Sequence, residues 1–190
     1  KFYLFQTVDI PEQDGDDMET FIGVDFGLTD IVVTSDGVKH SADWINSYRE
    51  QKQKVRSSIQ SKGTRSSKRL LKRLSGKERT TATIINHTIA KSIVNSAKEQ
   101  GKGISIEDLT NIRFTSKRRN KKFRTKLGRW SFGQLRSFLT YKAALNGVKL
   151  VAVEPRYTSQ TCSSCFHIGE RKNKVFKCIN HKCEVDVIDA

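Results

Sequence analysis

Short apolar stretches closed by glycine alternate with longer segments whose apolar residues recur every three to four positions. Residues 2–8 (Phe-Tyr-Leu-Phe-Gln-Thr-Val) alternate enough to predict a strand, and residues 11–20 read as an acidic loop. Residues 21–27 (Phe-Ile-Gly-Val-Asp-Phe-Gly) predict a short buried strand ending in glycine. Residues 29–34 predict a second strand, and Asp36-Gly37 is a strong hairpin signal that makes residues 38–40 a third, antiparallel strand. Residues 42–75 carry a helical and very basic pattern, with Lys62-Gly63-Thr64 as a break. Between residues 80 and 99, Ala82, Ile85, Ile89, Ile93 and Ala97 fall on one helical face, and Gly101 and Gly103 end that helix. Residues 103–109 predict another strand, and the stretch from there to Arg129 reads as loop. Ser131 is placed to cap a helix running to residue 146, with Phe132, Leu135, Leu139 and Ala143 inward. Residues 148–153 give a further strand.

This order predicts a mixed α/β sheet flanked by helices, with no internal repeat. No apolar run is long enough for a transmembrane helix, and Lys1-Phe2-Tyr3-Leu4-Phe5 lacks the length and cleavage site of a signal peptide. At 190 residues there is room for one ordinary domain with a small appendage.

Charge changes the picture. Lysine and arginine total 35 against 20 acids, a formal net charge of +15. Residues 1–20 hold six acids and one base, so the surplus lies in the rest. Residues 49–79 contain twelve bases and two acids, and residues 113–129 contain nine bases and no acid. A single charge run is usually a solvated face. Two runs so poor in acid point to a polyanion, with nucleic acid ahead of an acidic membrane surface.

The four cysteines, Cys162, Cys165, Cys178 and Cys183, all lie near the C-terminal end. Two close pairs of soft thiolates separated by a short hairpin match a structural zinc ribbon. His181, with the usual knuckle gap after Cys178, is an alternative fourth ligand to Cys183. So small a module needs a staple, which makes four unligated thiols a poor reading.

The acids carry the chemistry. Asp25 ends the first buried strand and Glu107 ends another. Parallel neighbours would bring both carboxylates to one rim, where a hard cation such as Mg²⁺ or Mn²⁺ is held by carboxylates and substrate phosphate. In a chain this basic, that pocket points to phosphodiester cleavage by two metal ions. Turn-capping is the competing role for any one such acid.

Ile22-Gly-Val-Asp-Phe-Gly-Leu28 followed by Val33-Thr-Ser-Asp-Gly37 resembles the first motif of the RuvC-like nuclease domain in transposon-encoded TnpB proteins, which CRISPR type V effectors share. Ile106-Glu-Asp-Leu109 resembles the second motif, Thr158-Ser-Gln-Thr-Cys-Ser-Ser-Cys165 the start of the inserted zinc ribbon, and Thr83-Ile-Ile-Asn-His-Thr-Ile89 a family helix. The resemblance implies an RNase H-like (RuvC) mixed sheet with an inserted zinc ribbon. It implies an RNA-guided, Mg²⁺- or Mn²⁺-dependent DNA endonuclease with structural zinc, partnered by guide RNA and target DNA. The setting would be the cytoplasm or nucleoid of a prokaryote. Asp25 and Glu107 carry over as metal-binding acids. The third acid is Asp186, with Asp189 or a residue beyond this chain as alternatives, because Ile188 stands where the family has asparagine. Phe166 likewise stands where the family usually has glycine. The implied division is residues 1–20 as the end of a preceding wedge-like domain with the acidic loop, 21–157 as nuclease core, 158–184 as ribbon and 185–190 as a truncated third motif.

The bases expected to meet phosphate are Lys117, Arg118, Arg119, Lys121, Lys122 and Arg124, with Lys68, Arg69, Lys72 and Arg73. Tyr48, Trp130 and Phe132 are weighed as base-stacking aromatics, core positions being favoured. A non-cutting nucleic-acid-binding or assembly module of the same fold is the alternative function.

Overall fold

The computed structural model describes residues 2, 4–7, 9, 18–109, 120, 124–125, 130–162, 164–172, 175–183 and 186–188. Strands β1 (Phe21–Phe26), β2 (Asp30–Thr34) and β3 (Lys39–Ser41) form an antiparallel meander. Gly37 closes its second turn at φ 87°, a left-handed angle that glycine adopts at no steric cost. Helices α1 (Asp43–Ser61) and α2 (Arg65–Glu99) follow. Then come β4 (Gly103–Glu107), α3 (Phe132–Leu145) and β5 (Leu150–Val153). The five strands make one sheet in the order β3-β2-β1-β4-β5. β4 lies parallel to both β1 and β5, so each of those pairings needs a helical crossover.

The strands show which face is covered. Ile22, Val24 and Phe26 of β1 are buried while Phe21 and Asp25 are exposed and Gly23 is half-buried, a period of two. Ile31, Val32, Ile104 and Ile106 join them in one core with Ile45 of α1, Ile89, Ile93 and Val94 of α2, and Leu135 and Leu139 of α3. Ile89, Ile93 and Ala97 are buried as expected, with Ala90 and Val94 beside them. The face stops at Gly101, which has φ 63°. The amide of Lys102 returns to the carbonyl of Ala97 at 2.9 Å in a Schellman closure.

Three sequence expectations change. Among the described residues of the first eight, Phe2 and residues 4–7 lie in no strand, and Phe2, Leu4 and Phe5 are exposed. An alternating pattern makes a strand only where a ladder and a covering layer accept it. The acidic loop lies mostly outside the described residues; Met18 packs partly buried against the core.

Second, α2 is one helix of 35 residues where a boundary between 75 and 80 was expected. At 1.5 Å per residue it is about 50 Å long. Gly76 sits inside it at a cost of about 1 kcal/mol, small enough for packing against α1 to offset. The Arg56–Glu78 pair at 2.8 Å ties the two helices together beside it. The expected break at residues 62–64 is real: Thr64 caps α2, its hydroxyl accepting the amide of Ser67 at 3.2 Å.

Third, Ser131 precedes α3 but its hydroxyl does not cap it. That oxygen accepts from Nδ2 of buried Asn86 at 2.8 Å. Asn86 also donates to Oε1 of Gln134 at 2.9 Å, and Gln134 donates to Thr83 at 3.0 Å. A buried amide needs partners more than an exposed helix start needs a cap. The basic run 113–129 lies outside the described residues except Asn120, Arg124 and Thr125.

Beyond β5, a 3₁₀ turn (Thr158–Gln160) leads into the small sheet of β6 (Glu170–Lys172), β7 (Val175–Lys177) and β8 (Asp186–Ile188), ordered β6-β7-β8 and antiparallel. Its core is Cys162, Phe176 and Cys178, with Cys165 and Cys183 packed against them.

Candidate functional site

Parallel pairing sets Val24 beside Ile106, so Asp25 and Glu107 are the next residues on adjacent strands running the same way. Both line a cleft of ≈ 750 Å³ with Ser35, Ser105, Thr158 and Arg171. The rim location expected from the sequence is refined. The two acids fall at the strand positions that alternate with the buried ones, so they stand on the opposite face of the sheet from the core, near the strand ends. Asp108, one residue on, takes the other direction and pairs with Nη1 of Arg136 at 2.6 Å. Alternation thus separates two adjacent acids into different surroundings.

Two polar cleft residues come from beyond β5. Thr158 donates its hydroxyl to Oε1 of Glu107 at 2.8 Å. Arg171, from β6, adds a cation to the lining. Sequence reasoning missed both. A threonine before a cysteine pair and an arginine in a lysine-rich hairpin carry no signal of their own. Only the return of the chain across β5 brings them to the acids. Asp186 begins β8, opposite Lys177 in the small sheet. Asp189 lies outside the described residues.

The donor set of the cleft is carboxylate and hydroxyl oxygen, the hard chemistry that suits Mg²⁺ or Mn²⁺. The cysteine cluster is the opposite, soft and compact. The four sulfurs lie within 4.8 Å of one another, with Cys162 and Cys183 at 3.8 Å and Cys165 and Cys178 at 3.4 Å. Sulfur ligands at about 2.3 Å around a tetrahedral ion stand about 3.8 Å apart, so one zinc fits. Cys183 belongs to the cluster; His181 is exposed and outside it. The amide of His167 is the main cause holding the Cys165 thiol down at about 6. Burial, followed by the neighbouring sulfurs, pushes Cys183 up to about 12. Four thiolates in one place repel, and a divalent cation relieves that repulsion.

Lys68, Arg69, Lys72 and Arg73 project exposed from α2, and Arg124 is exposed. Lys117, Arg118, Arg119, Lys121 and Lys122 lie outside the described residues. Of the aromatics, Trp130 is buried and Phe132 packs against the core, both at edge contacts with Phe26. Tyr48 is partly buried and stacks on Trp44. All three sit in or against the core, and Tyr48 also backs the exposed ring of Trp44.

No helix among the described residues is long and apolar enough to cross a membrane.

Sheet order and cysteine cluster define a mixed α/β protein with a five-stranded mixed sheet, flanking helices and a small cysteine-centred module, and solved structures share that fold. Residues 132–190 match the family model described as Cas12f1-like, TNB domain. Over 96% of this chain the fold superposes on 39% of a chain in a CRISPR-Cas12f ternary complex with a TM-score of 0.72 and 19% identity. It superposes on 48% of a chain in a Cas12f1-sgRNA-target DNA complex at 0.69 and 18%. The chain is 34% identical over 60% of its length to 41% of a TnpB-like protein of Methanocaldococcus jannaschii. It is 39% identical over 49% of its length to 21% of the CRISPR-associated endodeoxyribonuclease Cas12f1 of Sulfoacidibacillus thermotolerans. It is a protein related to TnpB and to the type V CRISPR effectors, and it spans less than half the length of these relatives.

Proposed function

We propose that this chain is the nuclease portion of an RNA-guided DNA endonuclease, with Asp25 and Glu107 as the acids that hold its catalytic divalent ions. The observation that carries the reading is the shared cleft: two carboxylates from adjacent parallel strands, on the face away from the core, in a chain of net charge +15. Kinship with proteins named as endodeoxyribonucleases supports the reaction class. Solved relatives in complexes with guide RNA and target DNA support the partners. Asp186 is the proposed third acid, on the motif resemblance alone. Zinc is the proposed occupant of the four-cysteine cluster.

When bound, Mg²⁺ or Mn²⁺ activates the attacking water and steadies the leaving oxygen. The chain's own residues prepare the site. Asp25 and Glu107 bring negative charge to one spot on a rigid sheet. The Thr158 hydroxyl occupies one Glu107 oxygen and orients the other. Arg171 adds a positive charge to the cleft lining, where a substrate phosphate would meet it. The exposed bases of α2 draw the nucleic-acid backbone to the protein.

The test is Mn²⁺ binding to zinc-loaded protein, followed by calorimetry. Asp25→Asn and Glu107→Gln should each abolish the Mn²⁺ site while leaving zinc content and helix content unchanged. Wild-type Mn²⁺ binding in both variants would refute the assignment.

A further inference from the structure

The sequence has two tryptophans, and they are used in opposite ways. Trp130 is 6% exposed in the core; Trp44, on the first turn of α1, is 63% exposed. A large aromatic left in solvent gains nothing from burial, so its surroundings are informative.

Trp44 lies parallel to Tyr48, ring centroids 5.5 Å apart and planes 12° from parallel. Nζ of Lys52 sits 5.1 Å from the Tyr48 ring centroid. Positions 44, 48 and 52 are successive i, i+4 neighbours, so indole, phenol and ammonium form one column along the helix. With one face on Tyr48 and most of its surface in water, the indole presents its other face outward. The helix beneath is basic: Arg49, Lys52, Lys54 and Arg56 against Asp43 and Glu50.

The start of α1, which carries the platform, is fastened to the turn that follows β1. The amide of Ala42 donates to the carbonyl of Thr29 at 3.0 Å, and Asn46 donates to the carbonyl of Leu28 at 3.4 Å. Those bonds fasten the start of α1 to the turn just beyond Asp25.

We propose that Trp44, backed by Tyr48, is a stacking platform for an unpaired nucleobase of single-stranded nucleic acid whose phosphates meet the bases of α1. This rests on the nucleic-acid reading above and adds a residue and a contact type to it. Flat aromatic surface beside positive charge suits a base, which offers a π-face whatever its identity, attached to an anionic backbone. The cation behind Tyr48 holds that ring in place and costs the outer face nothing.

Trp44 reports directly, because the second tryptophan is buried. An oligothymidylate and an abasic phosphodiester of equal length are titrated at low salt while tryptophan emission is followed. Oligothymidylate should quench the emission and bind more tightly; the abasic chain should bind by charge alone with little quenching. Trp44→Ala should weaken oligothymidylate binding about tenfold, and Trp44→Phe should recover most of it. Circular dichroism confirms that both variants fold. Equal binding and equal quenching by the two ligands, or wild-type affinity in Trp44→Ala, would overturn the platform while leaving charge-driven binding intact. Failure of both ligands to bind at low salt would overturn the platform together with the nucleic-acid reading beneath it.

Discussion

The hydroxyl of Thr158 donates to Oε1 of Glu107 at 2.8 Å, joining the turn that opens the ribbon to the strand that carries a cleft acid. The turn is well fixed. Thr161 donates to the carbonyl of Tyr157 at 2.8 Å, and the amide of Gly169 reaches the carbonyl of Gln160 at 2.7 Å. Cys162 follows one residue after Thr161, so cysteine cluster and cleft share a short stretch of chain. Outer partners of ligating carboxylates commonly matter tenfold or more in metal affinity. Thr158→Val, which keeps the shape and removes the donor, should weaken Mn²⁺ binding at the cleft by about tenfold; Thr158→Ser should restore it. Identical affinities in calorimetry would reduce the bond to a packing detail.

The cysteine cluster should behave as a folding staple. One zinc per chain is expected by elemental analysis. Chelation should unfold residues 161–183 while the five-stranded sheet persists, since the ribbon has its own small core. Cys183→Ser should lose the metal and His181→Ala should keep it. Amide exchange resolved by segment checks the first point, and zinc retention the second.

Phe166 holds φ 58°, a left-handed conformation, at the turn of the first knuckle, where its amide returns to the carbonyl of Cys162 at 3.0 Å. A side chain there costs about 1–2 kcal/mol, and this ring is 79% exposed, so little burial offsets it. Phe166→Gly should therefore stabilise the zinc-loaded ribbon by about 0.5–1 kcal/mol after the entropy that glycine gains in the unfolded chain. Competition against a chelator would show it as slower zinc loss.

The exposed bases of α2 give a salt test. Replacing Lys68, Arg69, Lys72 and Arg73 by alanine should weaken binding to any nucleic-acid sequence by a similar factor. It should also flatten the slope of log affinity against log salt by roughly one for each phosphate that is no longer neutralised. An unchanged slope would make this stretch a solvated face.

Much of this was legible in the sequence because it is local. The Asp36-Gly37 hairpin, the break at residues 62–64 and the inward face at Ile89, Ile93 and Ala97 each follow from a few neighbouring residues. The cysteine cluster was legible for the same reason. That Cys183 rather than His181 joins the other three shows only once the backbone brings the four sulfurs together. What stayed hidden depends on distant partners. Ser131 looked like a cap because its competitor, Asn86, is 45 residues away. Thr158 and Arg171 meet the acids only after β5 has returned the chain to the sheet. The strand expected over residues 2–8 is missing among its described residues, since alternation describes a face and says nothing about what covers it.

The most direct measurement is target cleavage by the guide-loaded protein in Mg²⁺, comparing wild type with Asp25→Asn. The amide keeps the shape of the side chain and removes the charge that holds the ions. Cleavage should fall by orders of magnitude while target binding stays within a few-fold of wild type, and Glu107→Gln added to it should make matters scarcely worse, as groups acting together are not additive. Cleavage by Asp25→Asn at the wild-type rate would contradict the site, and a wild type that binds target but never cuts in Mg²⁺ or Mn²⁺ would contradict the nuclease reading itself.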